Sequence, residues 1–413
     1  MTNPLIAAEQ LDLNDPLAAI KNKFELPPNT LYLDGNSLGP MLKSIKQASI
    51  DVIQEQWGKG LITSWNAHDW IDLPLTVGEK IAPLIGAAPG QVICTDSVSI
   101  NLFKLIGCAM KLNPERHLLM TETNNFPTDI YIAESIQAFL GNDQCQLTYA
   151  KSGELIESLN QDIAVLLLTQ VDFRSGRLHD IEQITNAAHK LGIIVIWDLA
   201  HSVGALPLEL DAWNVDFAVG CGYKYLNGGP GAPAFIYAAK RHHSRIQQPL
   251  AGWMGHKAPF NFEVEYAADP GIRQFLCGTP PIISMHVLNT ALDVFQDITM
   301  QQVRDKAMAL LALFEASVKE SNLLSELHLA SPTAPAERGN QLAYRHPQAY
   351  AICQALIAEG VIADFRSPDV LRFGFSPLFL SFADIVKAVQ TLEQLFEEKS
   401  YKKHELKHRQ KVT

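Results

Sequence analysis

The sequence predicts an α/β protein, with a mainly parallel sheet covered by helices on both faces and a smaller α+β domain at the C-terminal end. Three observations carry this. Ile163–Leu168 and Ile193–Trp197 are unbroken apolar runs, the pattern of strands buried on both faces. Helical stretches alternate with such runs over about 150 residues, as in Ile181–Leu191 closing on Gly192. Beyond Ile283 the period changes, and Val303, Ala307, Leu310, Leu311, Phe314 and Val318 fall on one helical face. With 413 residues and 47% hydrophobic content, the chain can bury a large core.

In order, residues 1 to about 30 read as an arm with a short helical patch at Pro16–Phe24 and a break at Pro27-Pro28. Leu31–Asp34 reads as a short strand, Gly35–Pro40 as a turn and Met41–Trp57 as a helix. Leu75–Ile85 reads as a helix interrupted at Pro83. Val92–Thr95 is a strand that turns through Asp96–Ser99 into a helix. Leu118–Thr121 starts the alternation and leads through Asn125–Asp129 into a helix over Ile130–Leu140. Ile163–Leu168 ends at Thr169, and Val215–Val219 and Ala234–Ala238 continue the sheet. Later come a helix at Tyr350–Gly360, strands at Val361–Phe365 and Val370–Phe375, and a final amphipathic helix at Ser381–Glu397. The expected division is an arm at 1–60 joining the small domain, a large domain at 61–282 and a small domain at 283–413.

A net charge of −11 argues against a nucleic-acid surface and against attraction to anionic membranes. The basic run at Lys402, Lys403, Lys407, Arg409 and Lys411 reads as a solvated tail. The six cysteines form no C-x-x-C pair and have no histidines at metal-binding spacing, so free thiols in a reducing cytoplasm are expected and no metal site is. No signal-peptide pattern and no membrane-length apolar run is present.

The chemistry concentrates where the central strand ends. Asp198 closes Ile193–Trp197, the edge at which open α/β sheets place their ligands. Downstream, Lys224 stands in the glycine-rich stretch Gly220–Gly231, whose small residues permit close backbone approach. An amine and a carboxylate facing one cleft suit pyridoxal phosphate, which needs a lysine to hold it as a Schiff base and an anion at its pyridine nitrogen. Taken singly, each also fits an ordinary helix cap or surface lysine. The pairing, with His201 and Tyr223 beside it, favours the cofactor.

Asp198-Leu-Ala-His201, Tyr223-Lys224-Tyr-Leu-Asn-Gly-Gly-Pro-Gly231, Tyr32-Leu-Asp-Gly-Asn-Ser-Leu-Gly39 and Asn125-Phe-Pro-Thr-Asp129 together resemble the bacterial kynureninases. These are pyridoxal-phosphate-dependent enzymes of fold type I, the aspartate-aminotransferase-like superfamily, and the resemblance runs from about Leu31 to about Ser381. It implies a hydrolase that cleaves a C–C bond, turning L-kynurenine or its 3-hydroxy form into anthranilate or 3-hydroxyanthranilate and L-alanine, in tryptophan degradation and NAD biosynthesis. It implies that Lys224 carries the cofactor and then moves the α-proton, with Asp198 on the ring nitrogen. His201 is expected to orient Asp198 or lie beside the ring, and Tyr223 to bind phosphate and exchange a proton with substrate.

By the same resemblance, Val98 and Ser99 meet the phosphate, Phe126 stacks on the ring, and Asp129 and Thr169 lie at the cofactor. Trp253 and Thr279 are expected at the phosphate across a homodimer interface. Asn36 and Ser37 would lie over the substrate, and Trp65 would wall its aryl ring. Arg372, on a short strand, needs an anionic partner, and the fold type assigns it the substrate carboxylate in a two-pronged fork. Alternatives are a cysteine desulfurase or aminotransferase on the same fold, or a non-catalytic binder. No loop cysteine is evident for the first, and an intact Asp198–Lys224 pair argues against the last.

Overall fold

A computed structural model describes residues 4–151 and 153–404. Its strands are β1 (Leu31–Tyr32), β2 (Val92–Cys94), β3 (Leu118–Glu122), β4 (Gln146–Ala150), β5 (Ile163–Thr169), β6 (Ile194–Asp198), β7 (Phe217–Cys221) and β8 (Ala234–Ala238). Then follow β9 (His328–Leu329), β10 (Gln341–Arg345), β11 (Val361–Ile362), β12 (Asp364–Arg366) and β13 (Val370–Gly374). Seven of them form the main sheet in the order β2-β8-β7-β6-β5-β3-β4. Only β8 runs against its neighbours. Both faces are covered, so β5, β7 and β8 are buried along their whole length. One apolar cluster centres on Leu166, Trp197 and Phe235, the other on Leu167, Ile196 and Phe217.

At the edge of this sheet away from its carboxyl ends, Asp216 ties β7 to its surroundings. It accepts from His189 Nε2 and His242 Nε2, both at 2.8 Å, from Arg241 Nη2 at 2.7 Å and from the Val195 amide at 2.9 Å. Burial alone would push its carboxyl up, but the two histidines and the amide outweigh that and hold it well below the usual carboxylate range. A depressed folded-state pKa stabilises the fold above the ordinary carboxylate range and is lost as the pH falls. We therefore expect Asp216→Asn to cost about 3 kcal/mol at pH 7, the usual price of breaking a buried charged network. Urea midpoints at pH 7 and near pH 3 test this: the gap between variant and parent should narrow in acid, and an equal gap would assign it to packing.

A second sheet, β12-β13-β10-β9, is antiparallel throughout, while β1 pairs in parallel with β11. Phe314 from the long helix Met300–Glu320 packs on Phe373 and Phe375, with ring centroids 4.7 and 5.3 Å away. The N-terminal arm docks here. Asp12 accepts from the Phe382 and Ala383 amides, at the start of the helix Phe382–Glu398. Lys306 and Asp15 form a buried ion pair at 2.6 Å.

Several elements differ from the sequence reading. The arm begins with a helix at Pro4–Leu13, and Ala18–Lys23 is a short 3₁₀ helix of two turns. The helix expected over Met41–Trp57 is α-helical only at Lys43–Asp51, then widens to π spacing through Val52–Gly60. The strand expected at Val361–Phe365 is two strands in different sheets, because β11 serves the arm and β12 pairs with β13. β4 went unread because its edge position leaves little apolar alternation. Of the basic tail, positions from Lys407 onward lie outside the described residues.

Candidate active site

The carboxyl ends of β2, β3, β5, β6 and β7 open onto one cavity of about 330 Å³. Register puts Thr169, at the end of β5, beside Asp198, at the end of β6. Asp198 is buried and accepts the Ala200 amide at 2.8 Å. The turn after β7 carries Tyr223 and Lys224 to the same wall, and Lys224 Nζ lies 5.7 Å from the Tyr223 ring centroid and 5.9 Å from that of Phe126. Phe126 opens the helix Pro127–Leu140 and packs edge-on against Phe173 at 5.2 Å. Across the cavity, Ser97 caps the helix Val98–Leu112, and Ser97, Val98 and Ser99 form its floor.

Beneath these groups runs a buried polar chain. Thr169 Oγ1 lies 2.5 Å from Asn125 Oδ1 and 3.0 Å from Asp129 Oδ2, while Asn125 donates to Thr121. Burial and then the neighbouring Asp198 push the Asp129 carboxyl well above the usual carboxylate range. Burial also raises Asp198, but Lys224, the Ala200 amide and Asp129 pull it back. His201 is held neutral by burial, with the positive charges of Lys224, Arg372 and Arg366 adding to it. Burial pushes the Tyr223 phenol up as well, so it remains a proton donor.

Of the residues singled out from sequence, Val98, Ser99, Phe126, Asp129, Thr169, Asp198, His201, Tyr223 and Lys224 line this one cavity. Others do not. Trp65 packs at 6.0 Å on Trp70 and Trp253 at 5.7 Å on Phe260; these two, like Thr279, stay outside the cavity wall of their own chain. Asn36 is fully buried rather than poised over substrate; with its amide oxygen toward the guanidinium, it accepts from Arg372 Nε at 3.1 Å and Nη2 at 3.2 Å. The two-pronged fork of Arg372 is not open either. It grips Asp364 through Nε at 2.8 Å and through Nη2, while Nη1 donates to the Phe173 carbonyl at 2.5 Å.

The sequence reading missed Asp364, Arg366, Phe173 and Lys104. Lys104 is wholly buried, 2.5 Å from Asp96 Oδ2 and 2.6 Å from the Phe275 carbonyl, and so braces the turn ahead of the Ser97–Ser99 floor. Its signal was a lysine midway along an apolar helix. A larger cavity of about 1000 Å³ runs alongside, lined by Leu26, Met41, Trp57, Trp70 and Val287. Its wall is mostly apolar and holds none of the residues singled out at the strand ends, so size is a poor guide to the site here.

A sequence model of the kynureninase C-terminal domain matches residues 303–392. A kynureninase of Burkholderia pseudomallei is 44% identical over 98% of this chain and 98% of its own length. One of Pseudomonas fluorescens is 42% identical with the same coverage. The chain belongs to the kynureninase family. Among solved structures, a cysteine desulfurase of Thermococcus onnurineus superposes with a TM-score of 0.75 at 15% identity, over 92% of this chain and 98% of that one. The cystine C-S lyase C-DES with its product cysteine persulfide gives 0.77 at 16% identity, over 89% and 98%. The architecture is therefore fold type I, as expected. Kynureninase-family membership places this chain apart from those neighbours in sequence while it keeps their fold. Among the described residues, no helix is long and apolar enough to cross a membrane.

Proposed function

We propose that this kynureninase-family chain is a pyridoxal-phosphate-dependent hydrolase cleaving the Cβ–Cγ bond of L-kynurenine, and of its 3-hydroxy form, to anthranilate or 3-hydroxyanthranilate and L-alanine. The observation that carries this reading is the meeting of Lys224, Asp198 and Phe126 at one cavity. The residues fit the cofactor. His201 Nδ1 is buried without a hydrogen-bond partner among the described residues, and so is available to a polar guest. When bound, pyridoxal phosphate supplies an electron sink for charge at the substrate α-carbon.

The chain does the rest. Lys224 Nζ would hold the cofactor and would be the base for the substrate α-proton. Asp198, which Lys224, the Ala200 amide and Asp129 pull back toward the ionised form, would hold the ring nitrogen. Phe126 offers a flat face to the ring, and the helix start at Ser97–Ser99 offers amides and hydroxyls to the phosphate. Tyr223 keeps a proton to give to the substrate side. The reading includes a cytoplasmic homodimer serving tryptophan degradation and NAD biosynthesis. Trp253 is 39% exposed and free to enter a neighbouring subunit's site together with Thr279. It also takes 61–282 as the cofactor-binding domain and 283–413, with the arm 1–60 docked on it, as the smaller one.

The test is to add pyridoxal phosphate to purified protein, record its absorbance, then add L-kynurenine and follow anthranilate fluorescence. A Schiff-base band followed by anthranilate is expected; a band with no product from either substrate overturns the assigned reaction. Gly39 gives a finer check. Its amide donates to the Tyr223 carbonyl at 2.8 Å, and a Cβ there would stand 2.4 Å from the Lys224 carbonyl oxygen and 2.7 Å from Asn227 Cα. Gly39→Ala must therefore shift the lysine backbone, and kcat/KM is expected to fall about a hundredfold, as misplacement by an ångström can do. Unchanged kcat/KM with full cofactor loading would mean the loop yields instead.

A further inference from the structure

Lys104 puts a buried ammonium at the end of a helix that repels it. The residue belongs to the helix Val98–Leu112, and its side chain is fully buried. Helical side chains lean toward the N-terminus, and Lys104 Nζ runs back past the first turn to Asp96 Oδ2 at 2.5 Å. The helix dipole is itself positive there, so a cation is disfavoured by the dipole as well as by burial. Against this stand one carboxylate, 33% exposed, and the Phe275 carbonyl at 2.6 Å. An apolar side chain would fill the same space at less cost.

What the ammonium holds is a strained turn. Asp96 has a φ of +46°, the left-handed region that residues other than glycine enter at a cost. Its Oδ2 is gripped there by Lys104 and by Thr95 Oγ1, which donates at 3.0 Å. Its carbonyl accepts the Ala234 amide at 2.9 Å, and Ala234 lines the cofactor cavity. With Asp96 turned in this way, Ser97 becomes the extended cap of the helix, and Ser97, Val98 and Ser99 face the cavity. His201 Nδ1, buried without a partner among the described residues, belongs to the same cavity. Beyond Phe275, the Cys277 carbonyl accepts the Met254 amide at 3.3 Å, so the ammonium also ties this floor to the segment bearing Trp253 and Thr279.

We propose that Lys104 is the positioning residue of the phosphate site: by holding Asp96 in its turn, it aims the amides and hydroxyls of Ser97–Ser99 at a phosphate monoester in the cavity. This rests on the reading that the cavity takes pyridoxal phosphate. Lys104 is no part of the cavity wall, so it acts through Asp96 and not on the phosphate. Positioning and plain charge attraction differ in what they require of Asp96. For positioning, the carboxylate is needed; for attraction alone, it only repels the phosphate.

The experiment titrates the full chain, freed of cofactor, with pyridoxal phosphate and with pyridoxal, which lacks the phosphate, and follows the Schiff-base band. Lys104→Met should bind pyridoxal phosphate about tenfold or more weakly, the loss that a charged hydrogen bond carries, and pyridoxal as the parent does. Asp96→Ala should lose the phosphate preference likewise, and Asp96→Asn, which tolerates the left-handed turn and can still accept from Lys104, should recover part of it. Thermal melts report whether each variant is folded; if Lys104→Met is not, the two Asp96 variants decide. Equal weakening of both ligands in folded variants overturns the proposal, as does an unaltered preference. Tighter pyridoxal phosphate binding by Asp96→Ala also overturns it, in favour of charge alone. A parent that forms no band with either ligand fails at the earlier step, refuting the cofactor reading and this proposal with it.

Discussion

Lys224→Ala is expected to abolish the covalent cofactor band and to lower turnover by at least about ten-thousand-fold, because proton transfer by a positioned base contributes about a hundred- to ten-thousand-fold and the attachment is lost with it. The fold should survive. Lys224 Nζ makes its nearest aromatic contacts at 5.7 and 5.9 Å, with no salt bridge to break among the described residues. Circular dichroism should therefore match the parent, and added methylamine should return part of the turnover by standing in for the missing base. A variant that keeps the band would assign attachment to another amine. Loss of band together with loss of secondary structure would make Lys224 structural.

Asp364→Ala is expected to be the costliest single change to stability. The carboxylate is 2% exposed and serves two guanidiniums, one of them 1% exposed. Removing one member of such a group leaves charge buried without a partner, a loss of about 3–5 kcal/mol. The pH dependence follows from its neighbours. Burial would raise the Asp364 carboxyl, yet Arg372 and then Arg366 outweigh that and hold it below the ordinary range, so its contribution is present above that range and lost in acid. In the variant, Asp34 no longer faces the charge that helps push it up to about 7, and on ionising it can take over part of the pairing. Chemical denaturation at pH 5 and pH 8 should show the larger deficit at pH 5. A loss below about 1 kcal/mol at both would mean that the arginines reach water once Asp364 is gone.

The sheet and its carboxyl-edge site were legible because their signals are local. A strand ending in Asp198, a glycine-rich turn holding Lys224 and a Phe-Pro helix start at Phe126 each announce themselves within a dozen residues. Arg372 shows the limit. That a buried arginine needs an anion was readable; that the anion is Asp364 depends on β12 and β13 pairing, which the reading hid by running Val361–Phe365 into one strand. Alternation within β12 was the signal that could have exposed Arg366. Asn36 was unreadable for a different reason. Its burial comes from Gly374, where an added Cβ would fall 1.8 Å from the end of its side-chain amide, a contact between opposite ends of the chain. Trp253 and Thr279 lie away from their own chain's cavity.

The arm that docks on the C-terminal helix also fixes an order of events during synthesis. Asp12 waits for Phe382, 370 residues later, and Lys21 for Asp384, 363 residues later. At ribosomal rates of about 5–20 residues per second, the arm spends on the order of tens of seconds outside the exit tunnel with its capping carboxylate and its apolar face unclaimed. The central sheet has all its strands by Ala238 and can close well before that. Nascent chains of this protein therefore pass through a long-lived stage in which the sheet is formed and the first residues are still free for a chaperone to hold.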